Sequence, residues 1–165
     1  MSPILRANAL EFFSKSAAQT RRAGMRLGEM LHAGDLICLI GDLGSGKTTL
    51  TQGIAAGWGS SDQVSSPTFV LVNVYRTPNG GRLYHLDAYR LSGSAEADDL
   101  DLDTMLATGP MVIEWADRIE AALSDEHLRI SCRWITDERR EMVFTAHGSH
   151  YQQMLNTFRQ RAFAV

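Results

Sequence analysis

The spacing of apolar residues along this chain changes period several times, and each change marks an element. From Ser16 onward, Ala23, Leu27, Met30 and Leu31 recur at helical spacing, and Ser16 and Gln19 stand at capping-box distance. This predicts an amphipathic helix ending near Gly34. The unbroken run Leu36-Ile37-Cys38-Leu39-Ile40 has the length of a strand and predicts burial on both faces. A second helix should begin inside the adjoining glycine-bearing stretch and continue through Leu50 and Ile54 to about Gly57. Phe-Val-Leu-Val-Asn-Val-Tyr (69–75) is rich in β-formers, and Pro78-Asn79-Gly80-Gly81 separates it from Arg-Leu-Tyr-His-Leu-Asp (82–87). A turn of that composition between two such runs predicts a hairpin, and therefore a mixed rather than purely parallel sheet. Residues 95–106 are acidic with interspersed leucines and predict one surface helix. Met-Val-Ile-Glu-Trp (111–115) reads as a buried central strand, residues 116–123 as a helix, and 127–135 with 141–148 as a second antiparallel pair. Tyr151, Met154, Leu155 and Phe158 share one face of a terminal helix. No repeat, linker or low-complexity segment interrupts the order, so residues 1–165 are expected to form a single α/β domain.

Composition narrows the class. With 44% hydrophobic and 21% charged residues, the chain has the make-up of an ordinary globular domain, and a formal net charge of −3 argues against a broad electrostatic grip on nucleic acid. No apolar run approaches the roughly 18 to 20 residues needed to cross a bilayer, and Met1 to Ser16 lacks the apolar core of a signal peptide. Cys38 and Cys132 lie in apolar stretches and are expected as buried thiols. These features together predict a cytoplasmic protein.

The candidate chemistry begins at the end of the first buried strand. Gly41-Asp42-Leu43-Gly44-Ser45-Gly46-Lys47-Thr48, with Thr49 next in line, satisfies G-x-x-x-x-G-K-[ST] between a predicted strand and a predicted helix. Glycines allow consecutive backbone N–H groups to face inward around an anion, and the helix beginning there adds the positive end of its dipole. Lys47 would reach the β- and γ-phosphates, and the Thr48 hydroxyl is placed to ligate magnesium. Only two lysines occur, Lys15 and Lys47, which makes an incidental lysine at this position less plausible. Nothing matches the Asn-Lys-x-Asp pattern of guanine recognition, so ATP is the expected nucleotide.

A P-loop site needs an acid at the end of a neighbouring strand. Glu114, closing the run 111–114, and Asp87, closing 82–87, both qualify, and each could instead cap the helix after it. Asp87 could act on the metal or orient the attacking water. Val64-Ser65-Ser66-Pro67-Thr68 occupies the place of a switch loop but equally reads as an ordinary connection. His85 shares a strand with Asp87 and could face the site from it, but is expected as a packed core histidine. The remaining histidines, 32, 127, 147 and 150, show no metal-ligand spacing beyond the pair His147/His150, which is expected to be a solvated turn.

Taken together, GDLGSGKTT, SSPTF, YHLDAYRL and VIEW resemble the bacterial TsaE (YjeE) family of small P-loop ATPases, from the Gln19-Thr20 helix to about Val143. The resemblance implies a P-loop NTPase-like fold in three layers, a mixed sheet with a parallel core and antiparallel hairpins, flanked by helices. It implies ATP and Mg2+ as cofactors, and slow ATP hydrolysis within the machinery that makes threonylcarbamoyladenosine beside the tRNA anticodon. The implied partners are two sugar-kinase-fold subunits of the TsaB and TsaD type, with tRNA met only through that complex. By position, Thr48 and Glu114 match the family's magnesium ligands, Asp87 its essential acid, and Trp115 the tryptophan after the metal glutamate. Thr20 and Arg140 fall where the family contacts nucleotide. The tail beyond His147 departs from the family and is expected to pack or to meet a partner.

Two other readings stay open on residues alone. A small-molecule P-loop kinase would need an arginine-bearing lid, and Arg76, Arg82 and Arg90 form no such stretch. A nucleotide-controlled binding module would use the acidic stretch 98–103 and the tail as its surface.

Overall fold

The computed structural model describes residues 8–65 and 72–163. Its centre is β2 (Leu36–Ile40), whose side chains alternate between two cores: Ile37 and Leu39 face one, Leu36 and Cys38 the other. Burial on both faces is what the unbroken apolar run requires. Parallel neighbours flank it, β5 (Met111–Glu114) on one side and β6 (His127–Trp134) on the other, with β4 (Arg82–Asp87) parallel beyond β5. Antiparallel strands complete the edges. β3 (Val72–Arg76) pairs with β4, while β7 (Arg140–His147) pairs with β6 and β1 (Ala9–Ser14) with β7. The seven-stranded order is β1-β7-β6-β2-β5-β4-β3. The fold is thus the mixed α/β class expected.

Strand β1 has no counterpart among the expected elements. Leu10, Phe12 and Ser14 point inward, but Phe13 lies 49% exposed on the opposite face and blurs the alternation that would have announced it. The placement of β6 was also illegible, since its apolar pattern predicts the pairing with β7 but not the parallel contact with β2.

One face is covered by α1 (Ala17–Gly28), α2 (Lys47–Trp58) and α5 (Ser149–Phe163). Helix α1 starts as its cap spacing demands: Ser16 Oγ accepts from Gln19 N at 3.1 Å, and Gln19 Oε1 accepts from Lys15 N at 2.6 Å. It ends at Gly28, short of the expected Gly34, because Met30 N and Leu31 N bond three residues back, to Leu27 O and Gly28 O, and close the last turn tightly. Tyr151, Met154, Leu155 and Phe158 of α5 are buried, with Phe158 stacked on Phe144 at 4.9 Å between ring centroids. The tail is therefore part of the core.

The second face carries α3 (Ser94–Asp98), α4 (Leu102–Leu106) and a 3-10 helix, Ala116–Ala122. The single helix expected over 95–106 is instead these two short ones, because Asp101 adopts a left-handed conformation (φ 54°) that turns Leu102 into the core. The helix expected over 116–123 is a 3-10 segment broken at Ile119, whose side chain is fully buried.

Helices α1 and α2 approach closely enough for backbone contact. Gly24 and Gly28 on α1 face Gly53 and Gly57 on α2, a matched pair of glycine-x-x-x-glycine spacings. A Cβ at Gly28 would collide with Ile54 O, and one at Gly53 with Arg21 O. This contact sets the separation of the P-loop helix from α1. Gly28→Ala is expected to lower folding stability by about 3 kcal/mol, despite alanine's better helix propensity, because the obstruction is backbone that cannot rotate away. Urea unfolding checks this, and an unchanged midpoint would mean the helices can separate without loss.

Candidate functional site

The site lies at the carboxyl ends of β2, β4 and β5, where the P-loop crosses from β2 to α2. The loop's path depends on three glycines with positive φ, Gly41 (149°), Gly44 (77°) and Gly46 (104°). Any side chain at Gly41 would strike Cys132 O on β6, so the strand exit admits glycine alone. Gly46 stands at the N-cap of α2 with no side-chain cap, which leaves the first-turn N–H groups of the helix directed at the loop's concavity.

Lys47 is 5% exposed and folds over this loop. Its ammonium donates to Gly41 O, to Asp42 O at 2.9 Å and to Ser45 Oγ at 3.4 Å, and lies 4.2 Å from the Trp115 ring centroid. Burial pulls its pKa below the usual 10.5, while the nearby Glu114 acts in the opposite sense. Trp115 reaches this position only because it takes a left-handed conformation (φ 58°), unusual for a bulky residue, straight after the strand ends. Tyr89 packs beside it at 5.0 Å, and Arg118 lies over Tyr89 at 4.9 Å.

Glu114 ends β5 and is 3% exposed. Thr48 Oγ1 donates to its Oε1 at 3.4 Å, and its Oε2 meets His85 Nε2 at 2.5 Å. Asp87 is the register partner of Glu114 on the adjacent parallel strand, so the two acids end side by side. Asp87 Oδ1 also accepts from Tyr89 N at 2.9 Å, a local turn cap. Burial first, then the Glu114 charge, raises the Asp87 pKa above its usual 3.8. His85 is fully buried, as a core histidine should be, yet both ring nitrogens are engaged: Nε2 with Glu114 and Nδ1 with Tyr75 Oη at 2.8 Å.

A cleft of about 450 Å3 runs over these groups. Leu43, Gly44, Ser45, Gly46, Lys47, Thr48, Thr49, Asp87, Glu114 and Trp115 line it. Thr20 reaches its wall from α1, held by a 2.6 Å hydrogen bond to Ser14 Oγ. Arg140 closes the rim from β7: its Nε donates to Gly44 O at 2.9 Å and its guanidinium to Thr136 O at 2.6 Å, so it ties the β6–β7 turn to the P-loop. Asp42 sits outside this cleft, lining an adjoining groove with Leu43, Arg133 and Trp134, and Gly41 shapes the backbone without lining the cleft. Tyr89, Arg90, Asp137 and Glu138 also line it; Arg90 figured in the sequence only as one of three arginines that form no lid, and the other three were not singled out from it. Tyr89 and Arg90 come directly after Asp87 and could have been reached from it, whereas Asp137 and Glu138 carry no signal in a polar turn. Of the candidate switch segment, Ser66, Pro67 and Thr68 lie outside the described residues.

The donor set suits a hard divalent cation held together with a nucleotide. Among the described residues, no cluster of three or more His, Cys, Asp or Glu could hold a metal unaided. Magnesium does not require one, since it is bound through one or two protein oxygens with water and phosphate oxygens completing its shell. Thr48 Oγ1 and Glu114 Oε1 are such a pair of oxygens. The two thiols are unpaired and buried, with pKa values pushed up by burial to about 12, so neither is a nucleophile or ligand at neutral pH.

A family model described as "Threonylcarbamoyl adenosine biosynthesis protein TsaE" matches residues 14–142. A protein of Streptomyces coelicolor named tRNA threonylcarbamoyladenosine biosynthesis protein TsaE is 42% identical over 137 residues, covering 79% of this chain and 93% of that one. Its namesake in Bacillus subtilis is 43% identical over 124 residues, with 73% and 75% covered, and that of Treponema pallidum 38% over 133 residues, with 79% and 96% covered. Among solved structures, the crystal structure of YdiB from Bacillus subtilis superposes with a TM-score of 0.77 at 31% identity, covering 93% of this chain and 95% of the other.

Proposed function

The chain belongs to the TsaE family of tRNA threonylcarbamoyladenosine biosynthesis, and from that footing we propose that it is the magnesium-dependent, ATP-hydrolysing member of the pathway, coupling turnover to the threonylcarbamoyltransferase subunits. The observation that carries this reading is the convergence on one cleft of Lys47 and Thr48 from the first turn of α2 and of Asp87 and Glu114 from the ends of β4 and β5.

Each residue has a distinct share of the work. The loop amides and the start of α2 bind the phosphates, and Lys47 places its charge among them. ATP with magnesium supplies the γ-phosphoryl group that passes to water. Thr48 and Glu114 hold the cation, Thr20 and Arg140 bound the nucleotide side of the cleft, and Trp115 covers Lys47 and limits solvent access. Asp87, with its raised pKa and its place beside Glu114, orients the attacking water or accepts its proton. The partners this reading calls for are subunits of the TsaB and TsaD type, with tRNA engaged through them. The decisive experiment measures magnesium-dependent phosphate release alone and with those subunits, and the accumulation of modified tRNA with and without ATP. Release of a phosphorylated small molecule in place of free phosphate would favour a kinase and sink the proposal.

Asp87→Asn separates binding from chemistry. Nucleotide affinity should stay within about twofold of wild type while hydrolysis falls about 100-fold, in the range of a lost general base. The same substitution bears on stability. The folded-state pKa of Asp87 lies above its unfolded value, so the folded protein holds the extra proton between them. Wild-type stability therefore falls as pH rises through that window, and Asn escapes the loss. At pH 8 Asp87→Asn should melt at or above wild type, with the gap closing as pH drops toward 3.8.

A further inference from the structure

His85 stands two residues before Asp87 on β4 and projects to the side of the sheet where Tyr75 of β3 and Glu114 of β5 meet it. Its ring is fully buried, and its two polar atoms have one partner each: Nε2 with Glu114 Oε2 at 2.5 Å, and Nδ1 with Tyr75 Oη at 2.8 Å. Glu114 divides its own oxygens in the same way, Oε2 to His85 and Oε1 to Thr48 at 3.4 Å. Tyr75 Oη lies a further 3.4 Å from Ser65 O, at the end of the connection from α2. The chain Tyr75–His85–Glu114–Thr48 thus spans three strands and ends on the first turn of the P-loop helix.

We propose that His85, seated by Tyr75, is a positioning residue that turns the Glu114 carboxylate toward Thr48 and so sets the affinity of the site for a divalent cation. This inference rests on the metal-nucleotide reading above. A carboxylate alone at the end of a strand rotates among several staggered positions, and each misdirected one withholds Oε1 from the cation. A donor locked on Oε2 removes that freedom before the cation arrives. Carboxylate acceptance requires the Nε2–H tautomer, which leaves Nδ1 to accept the Tyr75 hydroxyl proton. The carboxylate, which can only accept, therefore selects the tautomer, and Tyr75, whose hydroxyl can donate or accept, holds the ring in the orientation that seats the acid. Partners of this kind are worth about 10- to 100-fold in metal affinity.

The test reads equilibrium binding. Fluorescent ATP-analogue affinity is titrated against magnesium, and separately in EDTA, for wild type, His85→Leu, His85→Gln and Tyr75→Phe. In His85→Leu the magnesium concentration for half-maximal enhancement of binding should rise about 10- to 100-fold with affinity in EDTA unchanged. His85→Gln, whose amide can donate to Oε2, should recover most of it. Tyr75→Phe, which removes one oxygen, should shift it several-fold and serves should His85→Leu not fold. Nitrogen-15 correlation spectra of the nucleotide-free wild type should give the Nε2–H tautomer for His85. A His85 ring protonated on Nδ1 only, or folded Leu and Phe variants with wild-type magnesium dependence, would overturn the proposal while leaving the ATPase reading intact. Wild-type binding indifferent to magnesium would overturn both.

Discussion

Lys47→Ala should cut ATP turnover by about a thousandfold and reduce nucleotide affinity below detection in a micromolar titration, while the protein stays folded. The loss of turnover and binding comes from removing the only cation among the described residues that is buried against the P-loop, where preorganised charge acts in a low-dielectric setting. The intact fold is expected from the direction of its pKa. Burial holds the Lys47 ammonium below its usual 10.5, so the charged form is disfavoured by folding. The folded state sheds its proton at lower pH than the unfolded chain, so this residue's contribution to stability improves as pH rises through that window and is a cost below it. Alanine removes the cost along with the hydrogen bonds to Gly41 O and Asp42 O, which water can replace at the cleft floor. Thermal melting should therefore be at or above wild type in the nucleotide-free protein, with the stabilisation by added Mg-ATP gone. Ordinary turnover in Lys47→Ala would refute the assignment of the loop.

Glu114→Gln should produce a different failure. The amide matches the acid in volume and stays in place at the end of β5, yet it lacks the charge that a magnesium ion needs. Hydrolysis is expected to fall about 100- to 1,000-fold, and nucleotide affinity to become the same with magnesium as with EDTA. The fold should tolerate the change. His85 can reverse its tautomer, accept the amide N–H at Nε2 and donate from Nδ1 to Tyr75 Oη, so the buried chain stays satisfied. A variant that keeps wild-type magnesium dependence would transfer the metal role elsewhere, with Asp87 the next acid to test. Comparing Lys47→Ala with Glu114→Gln thus distinguishes loss of phosphate binding from loss of the cation.

Where interactions are local, the residue pattern was enough to read them. The P-loop needs its glycines, lysine and threonine within eight consecutive positions, and its flanking strand and helix are written in local apolar patterns over five and twelve residues. The Ser16–Gln19 cap, the 78–81 turn and the buried face of α5 are of the same kind, because each contact joins residues at most a few positions apart or repeats along one element. The ends of β4 and β5 could be named as acid positions for that reason too. Their adjacency could not, since Asp87 and Glu114, 27 residues apart in the chain, meet only through the parallel register of β4 and β5.

The contacts that organise the site belong to that second kind. His85 looked like core packing because its sequence neighbours are apolar, and its link to Glu114 exists only once β4 lies against β5. The glycines of α1 and α2 carry a visible spacing, but which helix each pair faces depends on how both settle on the sheet. Strand β1 and the parallel seat of β6 beside β2 were likewise set by the need to cover both faces and edges of the central strands. A short stretch of residues encodes its own period, turn and cap, because the forces involved act over a few bonds. Strand order, register and the meeting of distant side chains come instead from burying all of the apolar surface at once, and that condition is written in no single segment.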